Sequence, residues 1–378
     1  MNKCVYSDVC GGCNYQGLSY AKQLKLKQEY IDSLFNKIIK PNKIIGCNNP
    51  LNYRNKVQVS FSKDERNRVY AGNYVANSHI VVPINECMIS DSVSIEIINS
   101  IVRLINKYKI SIFDENVYKG CFRHVLIRST SISEYMVVLV TGSFNFNKKE
   151  EFIRDLIKYN PLIKTIVQNH NNKHTSMVLG DKNTILYGNG HIYDELCGNR
   201  FVISPNSFYQ INKYQTEVLY KKAIEIANLK GNEVLIDAYC GTGTIGIVAC
   251  KYVKKVIGVE INESSIKDAY KNLKNNKIKN YEIYCDDAGN FMRRLSLKKQ
   301  HIDTVIMDPP RSGSDTKFLL SLVKLSPNSV VYVSCNPETL LRDSLFLLKK
   351  GYIPKVLQPI DMFPYTNHVE SIMLLEKH

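Results

Sequence analysis

Apolar and polar positions follow different patterns in the two halves of the chain. In the second half, short apolar runs that are typical of buried strands alternate with stretches of helical spacing. These runs lie at 234–237, 256–259, 281–285, 304–307, 330–333 and 371–375. Alternation of strand and helix predicts a mostly parallel sheet with helices on both faces, a doubly wound α/β fold.

The first half has a mixed pattern. Helical spacing predicts helices at 19–39, 91–108 and 150–160, and Pro41 is expected to end the first helix. Strands are expected at 51–83, 124–128, 135–141, 164–168 and near Tyr187. We therefore predict an N-terminal α+β domain over residues 1–200 and a doubly wound domain over 201–378, which begins near a helix at 213–227. The stretch 201–212 combines aromatic and amide side chains with a Ser-Pro turn, which indicates a pocket lining more than a core strand.

Polar or reactive side chains end the predicted parallel strands. They are Asp237, Glu260, Asp287, Asp308 and Cys335. Open α/β sheets bind ligands at this edge, so a shared site is expected there.

The loop after Asp237 leaves two cofactors open. Gly241, Gly243 and Gly246 match G-x-G-x-x-G, and Glu260 lies where a nicotinamide-dependent oxidoreductase would bind a ribose. A carboxylate directly before the loop would, however, repel a pyrophosphate. S-adenosylmethionine carries an ammonium, a sulfonium and no phosphate, so it is the favoured ligand.

Composition narrows the partners. The formal net charge of +15 favours a polyanion such as nucleic acid, although abundant Lys, Asn and Ile could also reflect genome composition. One group mixes positive charge with aromatic rings and suits either an RNA-contacting face or a solvated sheet edge: Arg54, Lys56, Lys63, Arg66 and Arg68 with Tyr53 and Tyr70. No apolar stretch is long enough to span a membrane and no signal region is evident, so we expect a cytoplasmic protein, most simply a monomer.

The cysteines suggest a metal or cluster site. Cys4, Cys10 and Cys13 have the spacing C-x5-C-x2-C, and Cys87 is the best candidate for a fourth ligand. Zinc and iron–sulfur clusters both accept four thiolates, and the spacing alone does not choose between them.

Cys335 beside a methyl donor indicates a specific reaction. C5 of a pyrimidine is a weak nucleophile until a thiolate adds to C6, after which C5 can attack the sulfonium methyl. A free thiol has a pKa of about 8.5, so nearby positive charge is needed, and Arg311 could supply it or neutralise the enolate oxygen. We expect Glu370 to remove the C5 proton.

Several motifs together resemble those of the RNA uracil-5 methyltransferases. They are Ser204-Pro205 with Phe208-Tyr209-Gln210-Ile211-Asn212, Asp237-Ala238-Tyr239-Cys240-Gly241-Thr242-Gly243, Asp308-Pro309-Pro310-Arg311, Val333-Ser334-Cys335-Asn336-Pro337 and His368-Val369-Glu370. The resemblance covers essentially the whole chain. It implies a Rossmann-like class I methyltransferase domain with Cys335 as nucleophile and Glu370 as proton acceptor.

The resemblance also implies the remaining ligands and the substrate. It places S-adenosylmethionine against Gln210, Tyr239, Glu260 and Asp308, with Asp287 near the adenine and Gly241 and Gly243 in the binding loop. Cys4, Cys10, Cys13 and Cys87 look like the four-iron four-sulfur ligands of the 23S rRNA branch. The expected substrate is therefore 23S rRNA, with tRNA as the alternative. Many relatives have a small β-barrel RNA-binding domain ahead of the cysteines, whereas this sequence starts at them, so RNA contact is expected here from the central domain and the basic surface. The resemblance also implies that helix 19–39 packs on the catalytic domain.

A non-enzymatic alternative is an RNA-binding module with a degenerate methyltransferase fold. It predicts RNA affinity that survives Cys335→Ala without product formation. The intact Cys335, Glu370 and glycine loop argue against it.

Overall fold

A computed structural model of the chain describes residues 3–75 and 78–378. Its N-terminal half alternates strands with a few helices. In chain order these elements are α1 (Tyr20–Phe35), β1 (Lys56–Lys63), β2 (Val69–Tyr74), β3 (Val81–Pro83), α2 (Ser92–Tyr108), β4 (Phe122–Ser129), β5 (Tyr135–Thr141), α3 (Lys149–Tyr159), β6 (Ile163–His170) and β7 (Lys182–Tyr187). A short antiparallel hairpin, β8 (Ile192–Leu196) and β9 (Asn199–Ile203), follows.

The C-terminal half alternates strand and helix more regularly. Its elements are α4 (Lys213–Ala227), β10 (Val234–Ala238), α5 (Thr244–Ala249), β11 (Lys255–Glu260), α6 (Glu263–Asn275), β12 (Tyr281–Cys285), α7 (Ala288–Leu297), β13 (Thr304–Met307), α8 (Thr316–Leu325), β14 (Ser329–Ser334), α9 (Pro337–Leu348), β15 (Tyr352–Ile360) and β16 (Glu370–Lys377). A single 3₁₀ turn, Cys250–Tyr252, follows α5.

The strands of the first half form one sheet in the order β3-β2-β1-β4-β5-β6-β7. Successive side chains of a strand point to opposite faces. Val57, Val59 and Phe61 of β1 belong to one buried apolar cluster with Ile98 of α2 and Phe152 of α3. The helices therefore cover one face of this sheet, and Lys56, Gln58 and Ser60 occupy the other.

The strands of the second half form a sheet in the order β12-β11-β10-β13-β14-β16-β15. The first five are parallel, and β16 is antiparallel to β14 and to β15. This confirms the predicted doubly wound fold. Strand order reverses at β10, so a crevice is expected where β10 and β13 end.

Helix α1 packs against the second half of the chain, although it precedes the first sheet. Ile31 and Phe35 share an apolar cluster with Tyr332 and Leu340. The ammonium of Lys27 lies 2.6 Å from the carboxylate of Asp361, and both side chains are fully buried. The helix begins where predicted, with the Ser19 side chain accepting a hydrogen bond from the Lys22 amide.

Two local expectations were wrong. Helix α1 ends at Phe35, before the predicted 39, because the chain turns there and Ile38 and Ile39 both donate to the Phe35 carbonyl. Residues 201–203 are a buried strand rather than pocket lining, so only the loop that follows them is available to a ligand. No helix in the described ranges is long and apolar enough to cross a membrane.

Candidate active site

The predicted strand-end residues lie along one edge of the second sheet. Asp237 and Glu260 are near or at the ends of β10 and β11, and Asp287, Asp308 and Cys335 follow β12, β13 and β14. Because these strands are parallel and adjacent, their carboxyl ends meet at the same edge.

The antiparallel strand β16 brings Glu370 to this edge. Ser334 of β14 pairs with Ser371 of β16, which places Glu370 beside the turn that holds Cys335. That turn is short because Asn336 immediately caps α9, its side chain accepting a hydrogen bond from the Glu338 amide. Cys335 is thereby fixed between a strand and a helix.

The glycine loop is shaped by left-handed backbone conformations. The φ angles are 62° at Tyr239, 55° at Gly241 and 79° at Gly243, the residue that caps α5. An L side chain at Gly243 would be strained, and no other atom lies within 4 Å of the position of a Cβ at Gly241. The loop is therefore open where a ligand would approach its backbone.

A cavity of about 30 Å³ lies between this loop and residues 208–210. Gln210, Tyr239, Gly241 and Asp308 line it. The hydroxyl of Thr242, which also lines it, is buried and has no hydrogen-bond partner in the described chain. A buried hydroxyl without a partner is costly, so the cavity fits a ligand with polar groups.

Asp237 lies at the floor of this cavity and is 2% exposed. Its carboxylate accepts hydrogen bonds from the Gly246 amide at 2.9 Å and the Tyr281 hydroxyl at 2.7 Å. Burial nevertheless raises the pKa of Asp237 to about 7. A bound cation would favour the ionised form, which suits a sulfonium or ammonium ligand.

Tyr281 reaches Asp237 across the intervening strand β11. It can do so because Gly258 has no side chain, and a Cβ there would lie 2.5 Å from the Tyr281 hydroxyl. A small residue on one strand thus allows a hydrogen bond between its two neighbours.

Three titratable groups lie near one another at this edge. Burial, with smaller effects of the nearby Glu370 and Asp308, raises the pKa of Cys335 to about 11, although Arg311 lowers it. Burial and Asp308 raise the pKa of Glu370 well above its usual value. Burial, followed by Asp237, raises the pKa of Asp308 to about 7. Arg311 therefore acts on the thiol in the predicted direction, but burial outweighs it in the ligand-free protein.

Arg311 is exposed and lies between the turn that holds Cys335 and the loop that precedes β16. One of its guanidinium nitrogens is 3.2 Å from Nδ1 of His368. Its carbonyl accepts a hydrogen bond from the Asn336 side chain at 3.0 Å. These contacts hold the loop after β13 against the turn that holds Cys335.

The other predicted ligand residues have structural partners of their own. The Gln210 carbonyl accepts from the Asn55 side chain at 3.0 Å, and the Tyr239 hydroxyl is 3.2 Å from that of Ser314. Glu260 accepts from the Gly241 amide at 3.1 Å. Asp287 caps α7. Glu260, Asp287 and Gly243 do not line the small cavity, although Glu260 contacts its loop.

The cysteines predicted as cluster ligands lie near enough to influence one another. Burial, with smaller effects of Cys87 and Cys10, raises the pKa of Cys13 to about 11. The same two cysteines add to the effect of burial in raising the pKa of Cys4. Among the described residues, however, no group of three or more Cys, His, Asp or Glu side chains has the arrangement of a metal site. The donor set fits a thiolate-bound cluster chemically, and the site stays a prediction.

The cysteine segment also contacts the loop before Glu370. The amides of Asn14 and Tyr15 both donate to the Tyr365 carbonyl, at 2.9 and 3.0 Å. Cys13 and Cys87 pack against the cluster of Tyr53, Ile89 and Tyr365. The loop that leads into Glu370 is thus held by the N-terminal segment.

Sequence reasoning did not single out Thr242 and Tyr281. Thr242 lies within the motif at 237–243, so its position between two loop glycines was a usable signal. Tyr281 gave no signal, because its role depends on the neighbouring Gly258 and on strand order.

Comparisons with known proteins agree with this geometry. A family model described as tRNA (uracil-5-)-methyltransferase matches residues 19–378. An uncharacterized RNA methyltransferase of Staphylococcus aureus (strain MRSA252) is 39% identical over 377 residues, which are 98% of this chain and 83% of that protein. One of Caldanaerobacter subterraneus subsp. tengcongensis is 40% identical over 379 residues, with coverage of 99% and 84%.

A solved structure shares the architecture of nearly the whole chain. It is the tRNA (uracil-54, C5)-methyltransferase of Pyrococcus abyssi in complex with S-adenosyl-L-homocysteine. The TM-score is 0.81 at 29% sequence identity, and the match covers 98% of this chain and 86% of that one.

Proposed function

The chain belongs to the tRNA (uracil-5-)-methyltransferase family and is an RNA methyltransferase, and from that premise we propose how it acts. Cys335 adds to C6 of a uracil in RNA, C5 receives a methyl group from S-adenosylmethionine, and Glu370 removes the C5 proton. The observation that carries this proposal is the grouping of Cys335, Glu370 and Asp308 at one sheet edge, where both carboxyl groups influence the thiol pKa.

S-adenosylmethionine would be held beside the glycine loop, where the cavity of about 30 Å³ must widen to admit it. Gln210, Tyr239, Gly241 and Asp308 line that cavity, with Gly243 shaping the loop, Glu260 bound to it, and Asp287 at the next strand end. The donor supplies an electrophilic methyl on a sulfonium. Asp237 and Asp308 provide the negative charge that such a cation favours.

The covalent steps balance without a further reactant. The Cys335 thiolate forms an S–C6 bond, and the C5=C6 electron pair moves to C5 as an enolate. C5 then bonds to the methyl carbon, whose bond to the donor sulfur breaks. Glu370 takes the C5 proton, the C5=C6 bond re-forms, and the thiolate leaves.

The raised pKa values constrain the order of proton transfers. With a pKa of about 11, the Cys335 thiol is protonated in the ligand-free protein at neutral pH. Its proton must pass to bulk water before addition, and it cannot remain on Glu370, since that group must later accept the C5 proton. Arg311, which favours the thiolate, is the group that promotes this step and can neutralise the enolate oxygen.

We propose 23S rRNA as the target, because the N-terminal cysteines resemble the cluster ligands of that branch. Cys4, Cys10, Cys13 and Cys87 would hold a four-iron four-sulfur cluster with a structural role, since the methyl transfer requires no electron. A tRNA target is the second candidate, favoured by the likeness to the Pyrococcus abyssi tRNA enzyme. Family membership gives no support to a nicotinamide-dependent oxidoreductase.

Tritium release from RNA labelled at uracil C5 tests the proposal. Wild-type protein should release tritium only with S-adenosylmethionine present, and Cys335→Ala should release none. Cys285→Ala, which changes an exposed thiol at another strand end, is the matched control and should behave as wild type. Separate 23S rRNA and tRNA transcripts identify the target. Equal release by Cys335→Ala would refute the mechanism.

A further inference from the structure

A cavity of about 1090 Å³ opens in the N-terminal half, away from the glycine loop. Strands β1 and β4 and the loops 112–118 and 174–178 form its walls. It is large enough for a nucleotide, whereas the cavity beside the glycine loop is much smaller. Nothing in the proposed chemistry uses it.

The lining includes several aromatic rings and imidazoles. The Tyr118 and His174 rings are stacked, with centroids 4.8 Å apart and planes at 22°. Tyr74 and His79 meet edge to face at 5.7 Å. Tyr118 has a φ of 52°, an unusual conformation for a bulky residue. Aromatic rings can stack on a nucleobase of any identity.

The charges of the lining largely cancel. Arg123 is paired with Glu115, at 2.6 and 2.8 Å. The lining holds one further charge of each sign, on Lys63 and Asp114. The Arg123 guanidinium also donates to the carbonyls of Asn171 and Lys173, which fixes the segment that carries His174. A balanced cavity favours a base over a phosphate.

One buried polar group in the lining is available to a ligand. Nδ1 of His124 is 3.0 Å from the Ser60 hydroxyl. Its Nε2 makes no hydrogen bond with any residue that the structure describes. Burial lowers the pKa of His124 to about 4, so the ring is neutral near pH 7 and can exchange hydrogen bonds with a base edge.

Strand β1 connects this cavity to the catalytic edge. Gln58 of this strand lines both the large cavity and a second cavity of about 300 Å³. Arg54, Lys56 and Ile211 also line the second cavity. Ile211 follows Gln210 of the cofactor cavity. From Lys56 to Ser62 a strand spans about 20 Å. A single strand of RNA could therefore extend from the catalytic edge to the large cavity.

The connecting surface carries cations without acidic partners. Arg54 and Lys56, which line the second cavity, form no salt bridge among the described residues. The Nε atom of Arg54 is buried and makes no hydrogen bond there. Burial, Arg128 and Arg54 lower the pKa of Lys56 to about 8. An anion would stabilise both side chains, and phosphate is the anion that RNA brings.

We propose that the large cavity binds a second unstacked nucleobase of the RNA substrate, while Arg54 and Lys56 bind the phosphates between that base and the target uracil. This inference rests on the proposed function and adds to it the class of substrate. The enzyme would select RNA in which two bases near each other are unstacked, as in a loop rather than a helix.

The test combines protein variants with RNA variants. A series of oligonucleotides is made from a loop that the enzyme methylates, each with one abasic nucleotide at a different position flanking the target. Binding of each to the protein is measured by fluorescence anisotropy. Loss of one specific base should weaken wild-type binding about 5- to 100-fold, the range for one stacked base. His174→Ala, at an exposed side chain, should weaken binding of intact RNA similarly and abolish sensitivity to that abasic position.

Two controls separate the contributions. His191→Ala removes another imidazole that contacts a tyrosine, outside the cavity, and should keep the wild-type pattern. Lys56→Gln should weaken binding to all the RNAs alike and reduce the slope of log affinity against log salt by about one.

The outcomes distinguish this inference from the proposed function. If wild type methylates uracil C5 but no flanking abasic position matters, or if His174→Ala keeps the full abasic penalty, the second-base site is wrong and the proposed function stands. If wild type methylates no RNA uracil, both are overturned.

Discussion

Replacing the buried Asp237 by asparagine should stabilise the ligand-free protein as the pH rises. Asparagine keeps an oxygen that can accept from the Gly246 amide and the Tyr281 hydroxyl, but it has no charge to bury. Burial raises the pKa of Asp237 from its usual 3.8 to about 7. A carboxyl with a raised folded-state pKa stabilises the fold fully below its unfolded pKa, and this contribution is lost as the pH rises through the folded value.

The magnitude follows from the size of the shift. A shift of about three units corresponds to about 4 kcal/mol at pH 8, at 1.36 kcal/mol per unit. At pH 5 most of this penalty is absent. The difference in unfolding free energy between Asp237→Asn and wild type should therefore become more favourable to the variant by about 2–3 kcal/mol from pH 5 to pH 8. This pH-dependent part is separate from any constant cost of the amide.

Chemical denaturation over that pH range measures the difference. The chain contains no tryptophan, so unfolding is followed by circular dichroism and tyrosine fluorescence, and free energies are compared where the two transitions coincide. The control is Asp181→Asn. The Asp181 carboxylate is 81% exposed and paired with Lys173, and this pairing lowers the pKa of Asp181. It should show no such gain. A difference that is flat, or that favours wild type more at pH 8, would refute the reasoning. Asp237→Asn should also bind S-adenosylmethionine more weakly than wild type, because the negative charge that favours the sulfonium is lost.

Two further predictions concern the loop before Glu370 and the thiol. Lys27→Met should lower the unfolding free energy by about 3–5 kcal/mol, because it leaves the buried Asp361 without its cation. The control Lys25→Met, which breaks an exposed ion pair, should have no measurable effect in the same denaturation assay. Equal effects of the two substitutions would contradict the account. Arg311→Gln should shift the pH profile of covalent RNA adduct formation to higher pH, because Arg311 lowers the Cys335 pKa. An unchanged profile, matching the exposed control Arg293→Gln, would remove Arg311 from that role.

The strand ends were predictable because they depend on local signals. Apolar runs that stop at a polar residue identified Asp237, Asp308 and Cys335, and the rule that parallel strands end at one edge brought them together. The Ser-Cys-Asn-Pro turn was visible because Asn336 caps a helix and Pro337 begins it.

Other features depend on contacts between distant parts of the chain. Lys27 and Asp361 are 334 positions apart, and neither sequence neighbourhood indicates the other. The hydrogen bond from Tyr281 to Asp237 needs a glycine on the strand between them. The raised pKa of Cys335 reflects burial near two carboxyl groups, whereas the sequence indicated only the opposing effect of Arg311.

The central claim is that Cys335 forms a covalent bond to the uracil and Glu370 removes the C5 proton. Glu370→Gln tests it most directly when incubated with substrate RNA and S-adenosylmethionine and analysed on a denaturing gel and by intact mass. The account predicts a covalent protein–RNA adduct that carries the methyl group, because the C5 proton cannot leave and the thiolate is not released. The double variant Cys335→Ala, Glu370→Gln should form none. An adduct in the double variant, or full turnover by Glu370→Gln, would contradict the account.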